Sequence, residues 1–514
     1  MWWFLIISLL TLLYYIWQKL GNLGKKYPMC LPHLPIVGSL PYMSVQDEAH
    51  IYFTKLKEKY GHIYALWMGP SYVVVVNQFS LAKDMLLKKG KDFASRPQMV
   101  TTDILSGSGK GIAFSDYGPQ WRMYRKLVQS TFSLFRDRSS QNFEKIICQE
   151  ANTLCKRLAN TEGQSVDPSK DCFLASANVI CQFCFSNSWK QNDKDVEIIM
   201  NVSDAIIKAL AKNNLVDIFP WIQLFPNKDL TLLKENVKSR NELLEKKIKI
   251  EKEKFNKDSI NNLLDTLLKA KMKTNSHLSQ EQEVTDEHIL MTLGDIFGAG
   301  VETTSSVIKW ILAYLLHYPE VKEKIQKEID QKIGFTRTPL LSDRNQLLFL
   351  ESTIREVLRI RPVAPLLIPH VACTDSSIGE YTIPKGTRIY VNLWSIHHDP
   401  EEWDEPEQFN PERFLDKNKE QLIMPTSSYF PFGGGPRVCV GEFLARAELF
   451  LFMAWVLQRF DLEVADNGEL PSLEGVYGVV YQINPFKMKF KLRKAWLSSV
   501  PGQQDPPPPA PEDS

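Results

Sequence analysis

Phe432-Gly433-Gly434-Gly435-Pro436-Arg437-Val438-Cys439-Val440-Gly441 is the stretch that decides how the rest of this chain is read. Its one cysteine stands among Gly433, Gly434, Gly435 and Gly441. A thiolate is an iron ligand, and glycines let backbone N–H groups crowd a sulfur and tune its electron donation. Cys439 is therefore a candidate axial metal ligand. A cysteine near glycines is, taken alone, more often a small buried hydrophobe. The fixed offsets of Phe432, Gly435, Arg437, Cys439 and Gly441 make this run more specific than that.

Upstream, the apolar stretch from His288 to Tyr318 predicts one helix about 45 Å long, enough to cross a whole domain. Gly298-Ala299-Gly300 lies in its middle, where each glycine costs roughly 1 kcal/mol and needs a reason. Ala299 and Gly300 offer no bulk against a flat ligand. Asp295, Ala299 and Thr303 recur every four residues, so an acid, a bare patch and a hydroxyl share one face, with Glu302 beside them. That face suits dioxygen held beside iron. Glu356-Val357-Leu358-Arg359 is by itself an ordinary helical ion pair.

Composition sets the frame. The chain has 514 residues, 44% hydrophobic, with 61 basic against 60 acidic side chains, so no net field attracts nucleic acid. Its eight cysteines are scattered in apolar contexts, the pattern of a reducing compartment. Cys181 and Cys184 read as two buried helix positions rather than a zinc or redox site. Met1 to Gln18 carries no charge and as a helix would be about 27 Å long, against a hydrocarbon core of about 30 Å. It lacks a basic leader and a small-residue cleavage site, so residues 1–18 are expected to be an uncleaved membrane anchor. Lys19, Lys25 and Lys26 then keep the body in the cytoplasm. Residues 19–41 form a basic, Pro-rich connector, 42–500 one catalytic body, and 501–514 a disordered Pro-rich tail. Ile63–Met68 and Tyr72–Val76 flank Gly69-Pro70 as a hairpin, and Ser276–Asp286 reads as a surface loop.

The cysteine run matches the haem loop F-x-x-G-x-R-x-C-x-G, and Ala299-Gly300-Val301-Glu302-Thr303 matches the oxygen-activation motif A-G-x-E/D-T, of the cytochrome P-450 superfamily, which the chain resembles. The resemblance implies a mainly α fold with small β-sheets (α+β), and haem b ligated through Cys439. It implies that Thr303 and Glu302 serve oxygen activation and proton delivery. It also joins Glu356 and Arg359 to Arg413 of Pro411-Glu412-Arg413-Phe414 in a buried structural network. Arg437, Arg96, Trp121, Arg125 and His370 are the implied clamp for the haem propionates, guanidinium being the natural partner of a carboxylate.

Lys88–Phe93, Glu144–Cys148, Asp295–Thr304 and Arg361–Pro365 resemble, more narrowly, the vertebrate steroid 17-alpha-hydroxylase/17,20-lyase family. That resemblance implies a progestogen substrate hydroxylated at carbon 17, with cleavage between carbons 17 and 20 as a second reaction. It implies electrons from NADPH through NADPH-cytochrome P-450 reductase, promotion of the lyase step by cytochrome b5, and residence in the endoplasmic reticulum membrane. Arg240, Asp295 and Ala299 match positions around the steroid, and Ser203 stands where relatives carry an asparagine. Lys89, Arg344, Arg355 and Arg446 match the basic docking surface for cytochrome b5. Two other readings use the same residues: a membrane-bound hydroxylase of other lipids or xenobiotics, and a haem-thiolate protein that binds ligands without activating oxygen.

Overall fold

The computed structural model describes residues 26–44, 47–137, 143–190, 193–211, 215–277 and 283–499. The expected anchor and the Pro-rich tail lie outside the described residues. Among the described residues no helix is long and apolar enough to cross a membrane.

The stretch read as one long helix is one: Asp286–His317, 32 residues. Thr285 caps it, its Oγ1 accepting from the His288 N–H at 3.3 Å. Asp286 and Glu287 complement the positive end of the helix dipole, and Tyr318 leaves helical geometry just before Pro319. This central helix packs on Ser169–Phe185, Lys228–Lys252, Leu348–Ile360 and Glu442–Arg459. Trp310, Ile311, Ala313 and Leu315 in its second half are fully enclosed in the main core. Gly300 has a packing reason that the sequence did not show. A Cβ there would lie 2.5 Å from Ile180 Cδ1, so the glycine lets the Ser169–Phe185 helix approach. Cys181 and Cys184, on that neighbouring helix, are buried free thiols.

The β structure is small and mostly at one side. A five-stranded sheet runs in the order Met29–Cys30, Ile63–Met68, Ser71–Val76, Arg388–Val391, His370–Val371. The expected hairpin is present, with Ile63 opposite Val76 and Trp67 opposite Tyr72. Alternation along Ser71–Val76 serves two cores: Val73 and Val75 pack with Phe53 and Leu66, while Val74 and Val76 pack with Met85, Phe93 and Ile389. Residues 29–41 are built into the body rather than standing apart. Met29 and Cys30 pair in parallel with Tyr64 and Ala65, and the Ser39 N–H reaches Trp67 O at 2.6 Å. The helix Leu263–His277 runs into the segment read as a loop, and the next helix starts at Asp286.

Candidate active site

The cysteine loop is held from below by the segment Asp84–Lys88. A Cβ on Gly435, whose φ is +70°, would fall 1.9 Å from Leu86 O, so this position must be glycine both for its backbone angle and for the contact. Gly435–Arg437 forms one 3₁₀ turn, and the helix Glu442–Arg459 begins three residues after Cys439. The Cys439 N–H closes the loop on Phe432 O at 3.0 Å. Burial pushes the Cys439 thiol up, while the N–H groups of Gly441 and Glu442 and the nearby Arg125 favour its anionic form. Those donors are the backbone tuning expected of the glycine-rich run.

Cys439 opens not to bulk water but into an internal cavity with about 1560 Å³ of atom-free space, counting its solvent-filled mouth. Ala299, Gly300 and Thr303 of the central helix line the cavity together with Cys439, and Ile180, Leu367 and Val363 contribute apolar walls. Thr303 Oγ1 donates to Ala299 O at 2.6 Å, which fixes its rotamer while leaving its oxygen facing the cavity. Glu302 does not line the cavity. It is buried on another side of the helix, where Gln482 Nε2 donates to its Oε2 at 3.4 Å, and burial pushes its carboxyl up to about 7.

Arg96, Arg125 and Arg437 converge on one end of the cavity. Arg96 is held by Ala113 O, Ile368 O and Pro369 O at 2.7–3.1 Å, and Arg437 by Ala94 O, Ile112 O and Ser115 O at 2.7–3.2 Å. Arg125 donates to Val438 O, but its buried Nε has no partner among the described residues. Among the described residues no carboxylate forms an ion pair with any of the three. Burial, first, and then mutual repulsion push the Arg96 guanidinium well below its ordinary value. A cluster of buried cations with an orphaned N–H fits an anionic group entering the cavity. A thiolate ligand at one side, a guanidinium cluster at the end and a bare helix face opposite are the requirements of haem with its two propionates. The residues present fit it.

Two members of the expected clamp act differently. The Trp121 indole N–H donates to Ile112 O at 2.9 Å, so it is spent on the backbone. Its ring lies under the Arg437 guanidinium, 4.2 Å from Cζ, and braces that arginine. His370 Nδ1 lies 2.7 Å from Phe93 O, and burial between Arg96 and Arg437 holds the imidazole far below its usual range, hence neutral. Its ring still borders the cavity.

The four residues matched to the steroid divide. Ala299 and Asp295 line the cavity; Arg240 and Ser203 do not. Asp295 is committed to the backbone, its Oδ2 accepting from the Ile112 and Ala113 N–H groups at 2.7 and 2.9 Å, so it pins the loop carrying those residues to the central helix. Arg240 is buried between helices, donating to Leu105 O at 2.9 Å and to Asn241 Oδ1 at 2.8 Å. Ser203 sits on the helix Lys194–Ala211, whose Val202 and Ile206 pack with Val237 in a separate apolar cluster.

Glu356, Arg359 and Arg413 come together. Arg359 binds the Glu356 carboxylate through Nε at 2.8 Å and Nη2 at 2.9 Å, Arg413 adds Nε at 3.1 Å, and the Asn410 N–H adds a fourth bond at 2.9 Å. Arg359 continues to His397 O at 2.8 Å. The basic residues matched to a docking surface all have an acidic side chain beside them. Lys89 pairs with Asp84 at 3.0 Å, Arg344 and Arg355 share Glu351 at 2.6 and 3.1 Å, and Arg446 pairs with Glu442 at 3.0 Å. Arg446 also lies 4.7 Å from the Phe432 ring, beside the cysteine loop.

Sequence reasoning missed Gln482, which holds Glu302 from a distant short strand, and Glu448, a buried carboxyl on the cavity wall with an oxygen unpartnered among the described residues. Neither lies in a motif, and only the three-dimensional path of the chain brings them there.

The cytochrome P450 family model matches residues 28–490. Human steroid 17-alpha-hydroxylase/17,20 lyase is 55% identical over 500 residues, covering 96% of this chain and 98% of its own, and the cat protein of the same name is 54% identical over the same shares. A zebra fish cytochrome P450 solved with progesterone superposes with a TM-score of 0.78 at 44% identity, covering 86% of this chain and 99% of that one. A structure of a zebra fish cytochrome P450 with abiraterone gives 0.75 at 41% identity, with the same shares covered. Cysteine loop, central helix and buried Glu356 network thus stand in a chain that belongs to the cytochrome P450 family.

Proposed function

We propose that this protein is a haem-thiolate monooxygenase that hydroxylates progestogens at carbon 17 and, in a second round, cleaves the bond between carbons 17 and 20. The observation that carries the reading is the apolar cavity joining the Cys439 sulfur to Thr303 and the bare Ala299 surface. The names of the relatives and the progesterone in the zebra fish structure support the substrate class. Cys439 would hold haem, with Arg96, Arg125 and Arg437 available to its propionates, and the group would supply dioxygen activation: one oxygen atom would enter a substrate C–H bond and the other leave as water, with two electrons drawn from NADPH through a reductase.

The chain's own residues orient, enclose and deliver protons. Ile180, Val363 and Leu367 exclude water and hold a rigid apolar ring system. Thr303 presents its hydroxyl oxygen to the reacting side, and Glu302, whose carboxyl is pushed up to about 7, can both give and regain a proton near neutral pH. Reductase and cytochrome b5 are the partners of this reading. Arg344 and Arg355 share the one Glu351 carboxylate, which leaves an excess positive charge on their face, and Arg446 stands beside the cysteine loop. Residues 1–18 anchor the protein in the endoplasmic reticulum membrane; release of full-length protein by carbonate extraction would contradict this.

Incubation of membranes with progesterone, reductase and cytochrome b5, followed by product analysis, tests the whole proposal. The expected products are 17-hydroxyprogesterone and the androgen left by side-chain cleavage. Turnover of unrelated lipids with progesterone untouched would overturn the substrate assignment.

A further inference from the structure

The proposed proton route has a gap between Thr303 and Glu302. Thr303 faces the cavity and Glu302, its neighbour in sequence, does not. Adjacent residues on a helix point about 100° apart, so a carboxyl at 302 meets the cavity only by turning its long side chain. In this structure the Glu302 side chain is turned the other way, with 6% of the residue exposed, and its one hydrogen-bond partner among the described residues is Gln482. Gln482 lies in a two-stranded sheet of Gly475–Val476 and Gln482–Ile483. The neighbouring Tyr481 is anchored twice, its N–H on Val363 O at 2.8 Å and its carbonyl accepting from the Trp310 indole at 3.2 Å. The amide is therefore presented from a fixed backbone. The contact itself is long, at 3.4 Å, and so readily broken.

We propose that Gln482 is a positioning residue that parks the Glu302 carboxyl away from the cavity, and that proton delivery begins when Glu302 leaves Gln482 and turns toward Thr303. This rests on the proton-delivery role given to Glu302 above. In the turned state the carboxyl O–H bond breaks, the proton passes to the water or hydroxyl on the Thr303 side, and the carboxylate takes up a proton from solvent hydronium, leaving water, when it returns to Gln482. The charged groups facing Glu302 are Lys309 on its own helix and Asp204 on Lys194–Ala211; the amide of Gln482 faces it from the strand. Lys309 and the Gln482 N–H favour the charged form, and Asp204 and burial oppose it. Removing the amide donor therefore raises the pH at which the carboxyl ionises.

The test is Gln482→Met, which keeps length and apolar bulk and removes the donor, in the haem-loaded full chain. The protonated-carboxyl infrared band, assigned by its loss in Glu302→Gln, is followed against pH. The expected result is a midpoint near neutral pH in the parent and a higher one in Gln482→Met, with thermal stability retained. NADPH consumption per product is read alongside, its pH dependence moving up with the band. An infrared midpoint unmoved by Gln482→Met overturns the parking contact, whatever the activity. A moved midpoint together with unaltered coupling in Glu302→Gln shows instead that the contact exists and the proton-delivery role fails, which overturns the proposal from the other side. Gln482→His, which restores a donor, is expected to bring the midpoint back toward the parent's.

Discussion

Glu356 Oε1 lies 3.1 Å from Arg413 Nε, and this bond ties the helix Leu348–Ile360 to the turn Pro411–Phe414 with the Glu356 side chain fully enclosed and Arg413 only 9% exposed. The carboxylate is shared: Arg359, also without exposed surface, takes it from the same helix. Two guanidinium groups on one acid leave an excess positive charge, which the carbonyls of His397, Asp404 and Gln408 disperse at 2.8–3.4 Å.

Because the network is buried, removing the acid leaves two uncompensated cations. Glu356→Ala is expected to cost on the order of 3–5 kcal/mol of stability. The loss should reach the haem site, since His397, which accepts from Arg359, also receives the Phe430 N–H at 3.3 Å just before the cysteine loop. Haem absorbance per protein and a thermal melt check this; a fully loaded, equally stable variant contradicts it.

The arginine cluster makes a different expectation. Arg125 has a buried Nε without a partner among the described residues, a cost that an incoming anion would relieve. Arg125→Leu is expected to weaken haem retention roughly 10-fold or more, as expected for loss of a charge-assisted bond of about 1.5–3 kcal/mol. The haem-free protein should lose little stability. Haem transfer to a scavenger apoprotein measures the first quantity, and melting of the stripped protein the second.

Among the described residues the Thr303 hydroxyl bonds only to its own helix, at Ala299 O. Thr303→Ala should therefore leave the fold and haem content intact while raising peroxide released per NADPH consumed, and Thr303→Ser should recover much of the coupling. Peroxide and product assays on matched haem content decide it. Unchanged coupling in the alanine variant removes the hydroxyl from the reaction.

What the sequence shows well is what spacing encodes. The helix around Gly298-Ala299-Gly300 and the hairpin around Gly69-Pro70 follow from periodicity, and the cysteine loop from its glycines. What it hides is direction. Trp121 and Asp295 sit beside the cavity, yet a backbone carbonyl takes the indole N–H and two backbone N–H groups take one oxygen of the carboxylate, engagements that no local pattern announces. Gly300, legible as a bare patch, is equally a packing contact with Ile180, a residue 120 positions away. The basic residues matched to a docking surface carry acidic neighbours, Asp84, Glu351 and Glu442, that the matched positions alone do not show. Hydrogen-bond partners distant in the chain leave no local trace.

The same burial that raises Glu302 makes the fold itself sensitive to pH. In the unfolded chain the carboxyl ionises near 4.5, in the folded protein at about 7. Below 4.5 it is protonated in both states and has no effect. As pH rises toward 7 the unfolded chain gives up its proton first, so stability falls, and above 7 the full cost of a buried carboxylate is present. At about 1.4 kcal/mol per unit that cost is on the order of 3 kcal/mol. Glu302→Gln removes it, and is expected to raise the melting temperature by several degrees at pH 8 and by much less at pH 5. An equal shift at both values would mean that the carboxyl is not desolvated in the folded protein, and would place Glu302 in contact with water.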